Sequence, residues 1–261
     1  MVTSRTEGDR ALGAQTVVRA LAVLGLLRDA SPEVGVTEVA RELSLQISTA
    51  HRILRALVRE GYVSQNPDTD RYRLGRESFL LGLAAERNLG FAAVTPILER
   101  LRDITGESTN MVVRDGGQGL VVLRVESEQP LRFTQSAGTR IPLHCTSSGK
   151  ALLAFAPGAK AGLEGLDLVR MTPVTITSRA KLLRELKEIR EVGYSVNRGE
   201  RIPGVCGVAA PILDQDGTAT AAIAVQGPVV RVSEERIPEL SDLVVELAAE
   251  VKAILPTGYR I

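Results

Sequence analysis

Cysteine, histidine and long apolar runs are all scarce in this chain, and each scarcity removes a class of function. Of 261 residues only two are cysteines and two histidines. Cys145 and Cys206 lie far apart and form no CxxC pair, so a disulfide framework is not expected and reduced thiols fit better. His51 and His144 with these cysteines lack the spacing of a metal site, and no metal or cofactor is expected. No apolar run approaches the roughly 20 residues that span a bilayer. The first ten residues, MVTSRTEGDR, lack the apolar stretch of a signal peptide, so a cytoplasmic protein without membrane contact is expected.

A charge excess is missing too. The formal net charge is +1. Residues 1–76 carry 11 Lys/Arg against 9 Asp/Glu, a balance of +2, and the remainder carries 21 against 22, a balance of −1. Bulk electrostatics therefore gives no reason to expect nucleic-acid binding; only a local cluster could do so. The length favours two domains, and 44% apolar residues suffice for two cores.

Residues 1–13 read as a disordered polar tail. Val17, Leu21, Leu24 and Leu27 recur at helical spacing, predicting an amphipathic helix over about 15–29, broken by Asp29-Ala30-Ser31-Pro32. Thr37 fits the N-cap of a short helix that runs to Leu43. After Ser44-Leu45-Gln46 a second helix is predicted from Ile47 to about Glu60, stopped by Gly61. Two β-prone runs flank Asn66-Pro67-Asp68 and read as a hairpin. This is the order of a winged helix-turn-helix, assigned to residues 14–75. A helical stretch over about 75–105 follows, with Gly90 and Pro96 as a break. Residues 76–90 are assigned to a linker helix and 91–261 to a second domain. There, hairpin-linked strands near 111–123, 194–197, 205–213 and 219–226 alternate with helices near 147–156, 179–192 and 233–254. The fold class is α+β with a largely antiparallel sheet.

On a helical wheel Ile47, Ala50, Ile53, Leu54, Leu57 and Val58 share one face. Ser48, Arg52, Arg55 and Arg59 lie opposite, flanked by Thr49 and His51. A recognition helix needs this division: one face packs, and the other offers donors to an anionic groove. Ser48, Thr49 and Arg52 would approach base edges, with Arg55 and Arg59 further along. Arg71 and Arg73, on the wing, suit phosphate oxygens. The alternative is a solvated helix face on a sensor or scaffold whose first domain binds protein.

The segments RALAVLGLL (Arg19–Leu27), TEVARELSLQISTAHRILRALVREGYV (Thr37–Val63) and RYRLG (Arg71–Gly75) resemble the IclR family of bacterial transcriptional regulators. So do GTRIPLHCTSSGKALLA (Gly138–Ala154), GYSVNRGE followed by GV (Gly193–Glu200, Gly204-Val205), VAAPILDQDG (Val208–Gly217) and AAIAVQGP (Ala221–Pro228). The resemblance implies a GAF-like C-terminal effector-binding domain, a homodimer or tetramer, a double-stranded operator, and control by a small, often anionic effector such as an organic or aromatic acid. By motif position it implies Ser148, Gly149, Asn197, Gly207, Val208 and Ala224 as ligand contacts. Thr-Ser-Ser-Gly opening a helix suits a carboxylate on its own chemistry, although the same residues also serve as caps. Two departures stand out. Gly207 occupies the place of a frequent family cysteine, with Cys206 one position earlier and so facing the other side of a strand. Gly199 interrupts the usual acidic pair before Glu200.

Enzyme readings fail. Gly149-Lys150 lacks the upstream glycine and downstream Ser/Thr of a phosphate loop, where His144 and Ala151 stand. His144 and Cys145 are adjacent on an extended segment and point apart, so they form no nucleophile–base pair.

Overall fold

The computed structural model describes residues 7–30, 32–158, 161–163 and 165–255, with the side chains of 7–13 and 161 left aside. The chain divides between Asn88 and Leu89 into two compact units.

The first unit comprises α1 (Glu7–Asp29), α2 (Val36–Glu42), α3 (Ile47–Arg59), β1 (Val63–Gln65), β2 (Tyr72–Leu74) and α4 (Arg76–Asn88). Residues 7–13, expected in a disordered tail, are the start of α1; residues 1–6 of that tail lie outside the described residues. Val23 and Leu27 of α1 pack with Val39, Ala40, Ala50, Ile53, Leu54, Val63 and Tyr72 in one apolar cluster. Val17, Val18 and Leu21 are instead exposed, because α1 is apolar on two sides and this unit covers one of them. The start of α2 also differs from expectation. Gly35, not Thr37, is the N-cap, and the Glu38 carboxylate accepts its N–H at 2.9 Å. Ile47, placed on the packing face by the wheel, is exposed, since no turn precedes it to bury against. Between α2 and α3 the chain turns through Ser44 in the left-handed region (φ 51). β1 and β2 pair antiparallel, and Val34 adds a bridge to Tyr72.

The second unit comprises α5 (Phe91–Thr105), β3 (Ser108–Asp115), β4 (Gln118–Val125), β5 (Arg140–Pro142), α6 (Ser147–Ala154), α7 (Arg179–Val192), β6 (Ser195–Arg198), β7 (Val205–Leu213), β8 (Ala219–Pro228) and α8 (Ile237–Ile254). The helical stretch expected over 75–105 breaks at Gly90 (φ 70), whereas Pro96 is carried inside α5. All neighbours in the six-stranded sheet, ordered β5-β4-β3-β8-β7-β6, are antiparallel. Alternation along β7 and β8 splits their side chains between two cores. Cys206, Val208, Ala210, Ile223 and Val225 pack with α5 and α8. Ala209, Ala222 and Ala224 pack with α6 and α7. The β7–β8 turn is fixed by Asp214, whose carboxylate accepts the N–H groups of Asp216 and Thr218, both at 2.9 Å. Among the described residues no helix is long and apolar enough to cross a membrane.

In the first unit, Gly75 is the tightest point. A Cβ there would lie 2.3 Å from the Gly61 carbonyl oxygen and 3.0 Å from the main-chain carbons of Tyr62 and Val63. These are backbone atoms and cannot swing away. Gly75→Ala is therefore expected to cost about 1–3 kcal/mol through overpacking. Urea unfolding followed by circular dichroism checks it; an unchanged midpoint would mean that the hairpin shifts aside at no cost.

Candidate functional site

Two sites emerge, one in each unit. In the first, α3 turns Ala50, Ile53 and Leu54 inward and leaves Ser48, His51, Arg52, Arg55 and Arg59 exposed, with Thr49 half-buried beside them. Its first turn contains no acid. Arg52 and Arg55 form no ion pair among the described residues. Arg59 meets Glu60 at 2.9 Å, but both side chains are exposed and a pair of that kind holds weakly.

The wing behaves differently. Arg71, expected on phosphates, is half-buried and engaged: Nη2 donates to the Glu33 carbonyl at 3.0 Å and to the Glu38 carboxylate at 2.8 Å. Glu33 also accepts from Asn66 at 3.0 Å and Thr69 at 2.9 Å, and these bonds hold its pKa below the usual carboxylate value. The Gly35 N–H, then Arg71, lowers Glu38 in the same way. Glu33 and Arg71 thus pin the hairpin to α2. Arg73, whose side chain is 59% exposed and 3.7 Å from Glu33, keeps its head group accessible.

The second site lies where two rungs of the sheet run beneath the N-terminus of α6. One rung joins Ser108, Gln226, Gly207 and Asn197 across β3, β8, β7 and β6; the next rung to face the same side, two residues further along each strand, joins Arg124, Asn110, Ala224, Ala209 and Ser195. Thr146 caps α6, its hydroxyl accepting from Gly149 N–H at 3.2 Å and donating to the Pro142 carbonyl at 2.8 Å. The cap function is thereby filled, and the buried hydroxyls of Ser147 and Ser148 have no partner. Asn110 Oδ1, Arg124 Nη2 and Gln135 Nε2 are buried and unpartnered as well. A small cavity, about 10 Å³ or room for one water-sized sphere, is bounded by Phe133, Thr146, Asn197, Arg201 and Gln226.

The six residues named from motif position are only partly brought together. Asn197 and Gly207 lie on the first rung. A Cβ at Gly207 would stand 3.0 Å from Ser147 Oγ and 2.9 Å from Gln226 Cγ, so a side chain at this point would meet the α6 terminus. Ala224 shares that face one rung on, packed in the apolar cluster under α6. Ser148 is fully buried at the helix start. Gly149 is a packing residue, since a Cβ there would lie 2.3 Å from the Leu143 carbonyl oxygen. Val208 belongs to the opposite core, with Cys206, and is turned away from the cavity. The motif pattern missed Thr146, Gln135, Arg201 and Gln226. Period-two alternation from Ala224 would have found Gln226; nothing local marks Gln135.

Beside the cavity, Lys150 is fully buried, and its Nζ donates to Glu185 Oε1 and Glu200 Oε1, each at 2.5 Å. Burial raises the Glu200 carboxyl, with Lys150 opposing it. Burial, and then the Glu200 carboxylate, push the Cys145 thiol up to about 11. His144 is bonded through Nε2 to the Val169 carbonyl at 2.9 Å. Among the described residues no group of three His, Cys, Asp or Glu side chains is placed to hold a metal ion.

Removing one partner of a buried ion pair strands the others, so Lys150→Met is expected to destabilise the protein by about 3–5 kcal/mol. Adding Glu200→Gln should return part of that loss; urea unfolding of both variants tests this, and a neutral Lys150→Met would refute the assignment. Because burial raises both Cys145 and Cys206, neither should react with a thiol reagent in the native protein at about pH 8, and both should react after unfolding in guanidinium. A native thiol that titrates quickly would contradict this environment.

Both units match known proteins. Residues 16–67 match the IclR helix-turn-helix domain, and residues 85–253 match the bacterial transcriptional regulator IclR C-terminal domain. The chain is 36% identical over 242 residues to the HTH-type transcriptional regulator BhcR of Paracoccus denitrificans, covering 92% of this chain and 86% of that one. It is 31% identical over 248 residues to the HTH-type transcriptional repressor AllR of Escherichia coli K12, covering 93% and 91%. Among solved structures it resembles an IclR homologue from Microbacterium hydrocarbonoxydans complexed with 4-hydroxybenzoate, with TM-score 0.81, 25% identity, and coverage of 92% and 98%. These matches span both units and join an exposed basic helix to a polar-lined sheet, in a family of regulators rather than enzymes. The chain belongs to the IclR family of bacterial transcriptional regulators.

Proposed function

We propose that residues 14–75 read a double-stranded operator through α3, that residues 76–90 link this domain to an effector-binding domain over 91–261, and that a small organic or aromatic acid controls the outcome. The observation that carries the DNA reading is the pair Arg52 and Arg55, exposed on a helix whose opposite face is buried, and without an acidic partner among the described residues. Ser48, Thr49 and Arg52 face bases at the N-terminal end; His51, Arg55 and Arg59 follow the groove. Arg73 takes a phosphate, and Arg71 serves by holding the wing in place. The effector reading is supported by the orphaned polar atoms around the α6 terminus and by the 4-hydroxybenzoate bound to the Microbacterium homologue. The protein acts as a homo-oligomer in the cytoplasm. Exposed Val17, Val18 and Leu21 on α1, and Phe79, Leu80 and Leu81 on α4, offer the apolar surface that a second copy would cover. A dimer also suits a pseudo-palindromic operator, since one winged domain reads a short half-site.

A duplex selected from a random library, titrated by fluorescence anisotropy across a salt series, tests the reading. Affinity should fall steeply with salt as condensed counterions are released. Arg52→Ala and Arg55→Ala should each weaken binding by about 1–3 kcal/mol. Salt-independent binding that survives both substitutions would identify the first domain as a protein-binding module instead.

A further inference from the structure

Several arginines of the second unit meet a carboxylate or main-chain carbonyls. Arg124 meets Glu126 at 2.8 Å, and Arg231 meets Glu107. Arg114, Arg179 and Arg190 each lay the guanidinium against main-chain carbonyls. Arg201 is placed differently. It is half-buried on the wall of the cavity, forms no ion pair among the described residues, and makes one hydrogen bond, from Nη1 to Gln135 Oε1 at 3.1 Å. A guanidinium has five N–H donors in a planar fork, and one of them is taken by a protein acceptor here. The adjacent acid forms no ion pair with it: Glu200 Oε1 is held by Lys150, and Oε2 is buried without a partner. Burial also lowers the Arg201 pKa.

Its surroundings are built for one end of a small polar molecule. Gln135 is 8% exposed, and its Nε2 has no partner. Ser147 Oγ, likewise unpartnered, stands over Gly207 beside Gln226, which lines the same cavity as Arg201. Gln135 Oε1 is the acceptor that occupies the fork.

We propose that Arg201 is the residue that receives the effector's carboxylate, and that the incoming carboxylate replaces Gln135 on its guanidinium. This rests on the reading of the second unit as an effector-binding domain and assigns its specificity-determining charge. A carboxylate matches the fork with two oxygens where an amide offers one, and a charge-assisted pair is roughly twice as strong as a neutral one. With room for about one water-sized sphere in the cavity, an acid is accommodated by parting the Gln135–Arg201 bond and displacing Phe133 from the wall.

The test uses the full-length protein with formate, acetate, benzoate and 4-hydroxybenzoate at matched ionic strength, each paired with its amide, read by thermal shift and calorimetry. At least one acid should raise the melting temperature and its amide should not. Arg201→Gln should weaken that acid by about tenfold or more, Arg201→Lys should fall between, and Gln135→Ala should bind more tightly than the parent. Each variant is compared with its own unliganded melting point; if Arg201→Gln does not fold, Arg201→Lys and Gln135→Ala carry the comparison. Equal binding of acid and amide, unchanged affinity in the arginine variants, or no response to any of the four acids would overturn the proposal. None of these outcomes bears on DNA binding, and a failure of DNA binding would leave the acid response measurable.

Discussion

A fully buried ammonium holds the second unit in register. Lys150 Nζ sits 2.5 Å from carboxylate oxygens of Glu185 and Glu200, joining α6, α7 and the loop after β6 at one point. Three elements that otherwise meet through apolar packing are thereby fixed against sliding, because a charge withdrawn from water tolerates little displacement from its partners. The Thr146 cap and the serine hydroxyls sit one turn away on the same helix, and Arg201 follows Glu200 directly. The geometry of the polar end of the sheet is inherited from this junction. It also accounts for the inert thiol of Cys145, whose ionisation the same burial and the Glu200 carboxylate oppose.

The first unit solves a parallel problem with acids. Glu33 and Glu38 gather Asn66, Thr69 and Arg71 and so anchor the wing to α2, leaving α3 with no acid in its first turn. The near-neutral total charge of the domain is compatible with an anionic partner, because the local cluster on α3 and not the total sets the field at that face.

Much of this was legible in the residues. The division of α3 into a packing face and a basic face follows from spacing alone, and the hairpins follow from Asn-Pro-Asp and Asp-Gly turns. Ile47 was misplaced because a wheel has no ends, and a first-turn residue has nothing before it to cover it. The bonds that Arg71 makes to Glu33 and Glu38 were not legible, because Glu33 lies 38 residues upstream and only the fold joins them. Val208 was carried into the pocket by motif position although alternation with Gly207 turns it to the opposite core. Lys150 gave no local sign of burial, as its counter-charges lie 35 and 50 residues downstream. Local periodicity reports faces; it does not report which distant charge meets which.

The alternation of β7 and β8 has a consequence for how such proteins diversify. Even positions of β7, from Cys206 to Ile212, belong to a dense slab shared with α8, while Gly207 and Gln226 look toward the cavity. Mutational drift can therefore rewrite the chemistry of the floor one alternate residue at a time, while the slab that holds the strands in place is inherited untouched. A lineage can change its chemical sense of smell without first learning to fold again.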